Sequence, residues 1–160
     1  MNVTSVSEIQ EGFVEQLRLR ATNPADKGLT EMYASVLHET HGVSWQDIGM
    51  TVVDARVYDF ALQIVKAHFS KESDVVPRES ILHCIPIQCF TDGQYDSIVP
   101  AIMQMNDFPG ARSNLYKHAI SLIHCSAHRT GQQQVVDSLR ANKLIATDQK
   151  CCATGIGKTC

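Results

Sequence analysis

Between Val53 and His68 an apolar or aromatic side chain returns every third or fourth residue: Val53, Val57, Phe60, Ala61, Ile64, Val65 and His68. A strand would alternate every second residue, so this rhythm, sustained for more than four turns, selects a helix with one wide apolar face. The stretch 51–69 is therefore predicted to be the central helix of the protein.

The same spacing recurs on both sides of it. Ser5-Val-Ser-Glu8 spells a capping box, in which a hydroxyl and a carboxylate satisfy backbone N–H groups at a helix start. Ile9, Phe13, Val14 and Leu17 follow at helical spacing up to Asn23-Pro24. Pro24 suits the first position of a next helix, whose stripe is Leu29, Met32, Tyr33, Val36 and Leu37 and whose end is Gly42. Ser44 caps a short turn, and Pro77 opens a short helix containing Ile81, Leu82 and Ile85. Ile85 to Phe90 fits either a helix or an extended piece, because Pro86 opposes a continuing helix. Residues 94–105 are helical with a kink or restart at Pro100; a long helix then carries Leu115, Ala119, Leu122 and Ile123 up to Thr130-Gly131. Val135, Val136 and Leu139 mark a last amphipathic segment, before Leu144-Ile145.

These segments predict an all-α protein: a single helical domain of five to seven helices over 1–147, with a flexible tail over 148–160. A chain of 160 residues is long enough to bury a core without disulfides or metal. Its six cysteines are expected to be free thiols. No run approaches the ~18 apolar residues of a membrane helix, and the first residues, MNVTSVSEIQEG, have neither the basic start nor the apolar stretch of a secretion signal. A cytoplasmic protein without membrane contact is the expectation.

Charge is distributed unevenly. Residues 1–110 carry seven Lys/Arg against fifteen Asp/Glu, whereas residues 111–160 carry seven against two. An acidic body and a basic C-terminal third suit contact with like subunits, a partner protein or nucleic acid, the last through residues 111–150. Residues 115–145 read as helix, glycine turn, helix and aliphatic pair, which resembles the end of a winged-helix recognition element. The resemblance implies Arg129, Gln132, Gln133, Gln134, Arg140 and Lys143 for phosphate or base contacts, and the set expected to bind nucleic acid or a partner is Arg112, Lys117, Arg129, Gln133, Arg140 and Lys143. It departs from the pattern at Lys143, where a glycine is usual before the apolar pair.

Four residues offer zinc-ligand chemistry. His124 and His128, four apart on a helix, can face one point, and Cys84 and Cys89 could add thiolates. Together with His68, Glu72, His38 and His41 the histidine pair loosely resembles the ligand layout of hemerythrin-like di-iron proteins, although the gap between His68 and His124 does not fit. His38-Glu-Thr40 and His128-Arg-Thr130 resemble the paired motifs of two-histidine phosphoesterases, but those must lie on neighbouring strands and both triplets fall at helix ends. The closing Gly157-Lys158-Thr159 lacks the P-loop's earlier glycine, which is Cys152, and the helix that should follow. With no ordered nucleophile and base, the reading is a non-enzymatic assembly or interaction protein, with a zinc-binding helical protein or a winged-helix-like DNA-binding protein as its alternatives.

Overall fold

A computed structural model of the chain describes residues 5–25 and 27–147. The described residues are helical with no strand. They form nine α-helical segments, α5 and α6 being separated by His83 alone, which exceeds the expected five to seven. The chain divides into two compact units, Met1–Ser70 and Lys71–Cys160. The expected tail, with its Gly157-Lys158-Thr159, lies outside the described residues.

The first unit holds α1 (Val6–Thr22), α2 (Thr30–His41), α3 (Trp45–Asp54) and α4 (Tyr58–His68). Ser5 caps α1 as expected, its Oγ accepting the Glu8 N–H at 3.2 Å. Pro24 does not open α2; it lies in a turn, and the helix starts at Thr30 and ends at Gly42, whose φ of 69° is the left-handed conformation that a glycine cap supplies. Ser44 caps a helix of 10 residues rather than one turn, accepting the Asp47 N–H at 3.1 Å.

The predicted central helix over 51–69 is two helices. At Arg56 the backbone turns left-handed, with φ 65°. The N–H of Arg56 bonds to the Val53 carbonyl and that of Val57 to the Val52 carbonyl, the paired bonds of a Schellman ending. The 3-4 rhythm survives because both helices bury their apolar faces: Val52, Val53, Val57, Phe60, Ala61, Ile64 and Val65 are all in the core. Arg20 is buried beside them, donating to Thr30 Oγ1 at 2.7 Å and Asp59 Oδ2 at 2.9 Å, with its guanidinium carbon 4.8 Å from the centre of the Phe60 ring. Burial opposes ionisation of Asp59, but its bonds from Arg20 and the Phe60 N–H, with the Arg20 and Lys27 charges, more than offset this and lower its pKa.

The second unit holds α5 (Val75–Leu82), α6 (Cys84–Thr91), α7 (Ile98–Met105), α8 (Asn114–Arg129) and α9 (Gln133–Ala141), with single 3₁₀ turns at Glu72–Asp74 and Tyr95–Ser97. Pro77, Pro86 and Pro100 each stand third in their helix. The first-turn N–H groups have no intrahelical acceptor, so a proline there removes no helical bond. That resolves Ile85 to Phe90 as helix and places the restart before Pro100 at Ile98. Ile81, Leu82, Ile85, Ile98, Ile102, Met105, Ile123, Val136 and Leu139 are buried core residues of this unit.

A buried polar network ties α5 to the loop before α8. Arg78 and Glu79 are both fully buried. Arg78 donates to the carbonyls of Lys71 at 2.9 Å and Pro109 at 2.5 Å and lies 5.0 Å from the Phe108 ring centre. Gly110, at φ 109°, brings the loop so close to α5 that a Cβ would stand 2.4 Å from Val75 Cγ2 and 3.2 Å from the Glu72 carbonyl oxygen. Only glycine meets both the conformation and the approach.

Candidate functional site

The proposed zinc ligands are not gathered. Cys84 and Cys89 both lie in α6, where five positions carry them about 140° apart around the axis, and a helix cannot form the knuckle that two thiolates need. His124 is buried on α8, while His128, one turn later, is exposed. Among the described residues no three His, Cys, Asp or Glu side chains are grouped so as to hold a metal ion. Burial, followed by the Arg140 and His128 charges, lowers the His124 pKa, and its Nδ1 is buried without a hydrogen-bond partner. Cys84, Cys89 and Cys125 are not disulfide-bonded.

The basic residues separate into different roles. Arg112 is engaged internally: it donates to the carbonyls of Met105, Phe108 at 3.0 Å and Gly110 at 2.7 Å, and its Nη1 lies 3.0 Å from Glu79 Oε2. Its donors are directed at the loop they fix, which removes it from the expected contact set. Arg140 is half-buried. Gln133 donates to Asp137 on its own helix at 2.9 Å. Lys117 and Arg129 are exposed at opposite ends of α8, about 18 Å apart along the axis. Lys143 is exposed and left-handed at φ 60°, so it fills the place of the missing glycine while adopting a glycine's conformation.

The unit boundary also regroups the charges. Met1–Ser70 carry five Lys/Arg against nine Asp/Glu, and Lys71–Cys160 carry nine against eight. The second unit is nearly balanced, because the acids of 71–110 fold with the bases of 111–160. The first unit keeps its acidic excess.

On α2 the stripe read as a core face lies largely outside the core. The buried side is Thr30, Ala34 and Leu37. Thr30 is buried because its hydroxyl receives Arg20 and donates to the Lys27 carbonyl at 2.8 Å. Ala34 is small enough for close packing. Leu29 and Met32, by contrast, remain 45% and 53% exposed, while Tyr33 and Val36 are half-buried. These four are spaced i, i+3, i+4 and i+7 from the N-cap Leu29 onward, but the Tyr33 ring lies against α1 at Gly12, which leaves Leu29, Met32 and Val36 as the outer apolar residues. The helix also carries exposed Glu31 and Glu39 and has no Lys or Arg.

A second feature of this unit was not legible as a site. Trp45 lies between two imidazoles: its ring centre is 4.2 Å from that of His68, nearly parallel at 13°, and 4.8 Å from that of His38. His38 and His68, two of the histidines of the di-iron resemblance, are thus ring partners of the one tryptophan. Burial, then the nearby His38 charge, lowers the His68 pKa, favouring the neutral ring. Beside the stack opens a cavity of about 180 Å³ whose wall includes Trp45, His68, Glu31, Ser35 and Gln63. A lone tryptophan near histidines was the only signal available in the sequence, and it does not specify a cavity.

Compared with protein-family models, curated proteins and solved structures, the chain matches none of them.

Proposed function

We propose that the chain is a non-enzymatic interaction protein that binds a partner protein through the outer face of α2, and that the partner presents a basic amphipathic helix. The carrying observation is the pair Leu29 and Met32, 45% and 53% exposed beside the half-buried Val36 although their spacing is that of a buried face. Apolar side chains arranged in this way suit a helix-in-groove or helix-on-helix contact, and methionine adapts its shape to a partner. The sign of the partner follows from complementarity, since Glu39 borders the stripe and the unit has an acidic excess. No helix of the described residues is long and apolar enough to cross a membrane.

The test is titration of a synthetic helical peptide with leucine on one face and lysine on the other, followed by NMR of the whole protein. Binding that weakens by roughly 10- to 100-fold in the Leu29→Ser, Met32→Ser double variant, with the far-ultraviolet spectrum unchanged, supports the reading. Binding unaffected by that variant overturns it. Association of like subunits, or of nucleic acid lost on charge reversal at Lys117 and Arg129, would replace it with the corresponding alternative.

A further inference from the structure

The cavity beside Trp45 has a chemistry of its own. Four polar side chains line it: Glu31 and Ser35 from α2, and Gln63 and His68 from α4. None of the four makes a hydrogen bond or ion pair with another described residue, although His68 stacks on Trp45. Among the described residues no Lys or Arg lines it, and Phe60 and Ile64 supply apolar wall. Polar groups that a fold leaves uncommitted around one concavity, over an apolar floor, are what a small-molecule site requires.

We propose that this cavity binds a small organic cation, an aliphatic ammonium or guanidinium, with Glu31 as its counter-ion. Among the described residues the carboxylate provides the only formal charge in the wall. Ser35 Oγ, the Gln63 carbonyl oxygen and the neutral imidazole of His68 can each accept an N–H, so a cation with several donors satisfies groups that now rely on solvent. An anion would meet Glu31 with no compensating base. A neutral hydrocarbon would displace water from all four polar groups and give nothing in return. A volume of about 180 Å³ admits a short alkyl chain with its charged head and nothing much larger. The neutral state favoured at His68 keeps a second cation out of the site.

Trp45 is the only tryptophan in the chain, so its fluorescence reads this site alone. The probes are n-butylammonium and n-butylguanidinium, with butyrate and n-butanol as controls at matched ionic strength and pH. The expected result is a saturable fluorescence change with the cations only, weakened at least ~10-fold by Glu31→Gln and unchanged by Glu39→Gln. The Leu29→Ser, Met32→Ser variant should bind the cations normally, which separates this inference from the partner-protein reading. Equal responses to butanol or butyrate overturn the proposal. So does the absence of saturable binding both in fluorescence and in ligand-observed saturation-transfer NMR. Retained affinity in Glu31→Gln overturns the counter-ion assignment and the proposal with it.

Discussion

The carboxylate of Glu79 accepts the backbone N–H of Ser113 at 2.7 Å, across 34 positions of sequence. Ser113 is the N-cap of α8, and its own Oγ accepts the Leu115 N–H at 3.2 Å. A buried negative charge therefore sits at the positive end of the longest helix of the second unit, where the macrodipole favours it. The second oxygen of Glu79 lies 3.0 Å from Arg112 Nη1, close enough for an ion pair but without hydrogen-bond geometry. Arg112 in turn holds three loop carbonyls, so one carboxylate organises the entry to α8.

Removing that carboxylate should be costly. Glu79→Ala leaves Arg112 without its counter-charge and the Ser113 N–H without its acceptor, and is expected to destabilise the Lys71–Cys160 unit by about 3–5 kcal/mol. Glu79→Gln keeps an acceptor but loses the charge, so a smaller loss is expected. Urea unfolding followed by NMR signals of α8 would measure both, and an Ala variant within ~1 kcal/mol of the parent would show that the network is dispensable.

Helix ends provide a second test, because the same Schellman bonding is built from different residues. At α8 the left-handed position is Gly131, φ 74°, while at α3 and α9 it is Arg56 and Lys143. A side chain in that conformation costs about 1–2 kcal/mol relative to glycine, partly returned by glycine's freedom in the unfolded chain. Lys143→Gly is therefore expected to stabilise by roughly 0.5–1 kcal/mol. Arg56→Gly should gain less, because it gives up the bond from Arg56 Nη1 to the Asp54 carbonyl, 2.9 Å long. Gly131→Ala should lose about 1 kcal/mol through the backbone alone, since no atom lies within 4 Å of the added Cβ. Thermal unfolding of the three variants checks the order, and a destabilised Lys143→Gly would contradict it.

Acid sensitivity should come from two histidines. His68 and His124 both have folded pKa values below the ordinary imidazole value of 6.5, in each case chiefly through desolvation. The unfolded chain then takes up protons that the folded chain resists. Stability should thus be level above the ordinary imidazole pKa and fall as the pH drops below it toward the lowered folded values. Asp59 acts in a lower window: its folded pKa lies below 3.8, so its contribution is present above that value and lost as the pH falls through the folded pKa. Urea midpoints between pH 8 and pH 5 in the parent and in His68→Gln test the first window, about one and a half units either side of the ordinary imidazole pKa. The slope should be reduced in the variant; an equal slope would remove His68 from the account.

Much of the local structure was written in the sequence. The 3.6-residue period selected helices throughout, Ser5 and Ser44 marked true N-caps, and Gly42 and Gly131 marked true endings, because each of these is settled by contacts within a few residues. What was not settled was which side of an amphipathic helix would be covered. On α2 the packing chose Thr30, Ala34 and Leu37 and left Leu29 and Met32 about half exposed, since Arg20, ten positions earlier on α1, needed the Thr30 hydroxyl and a small residue allowed close approach. The break at Arg56 was hidden for a related reason. Two helices that bury continuous faces keep the rhythm of one, and a left-handed arginine carries no signal of its own. Arg112 looked like surface charge until a buried glutamate and three loop carbonyls surrounded it. Periodicity and capping are local and therefore readable; burial and charge pairing depend on what the rest of the chain brings alongside, and only the tertiary structure decided them.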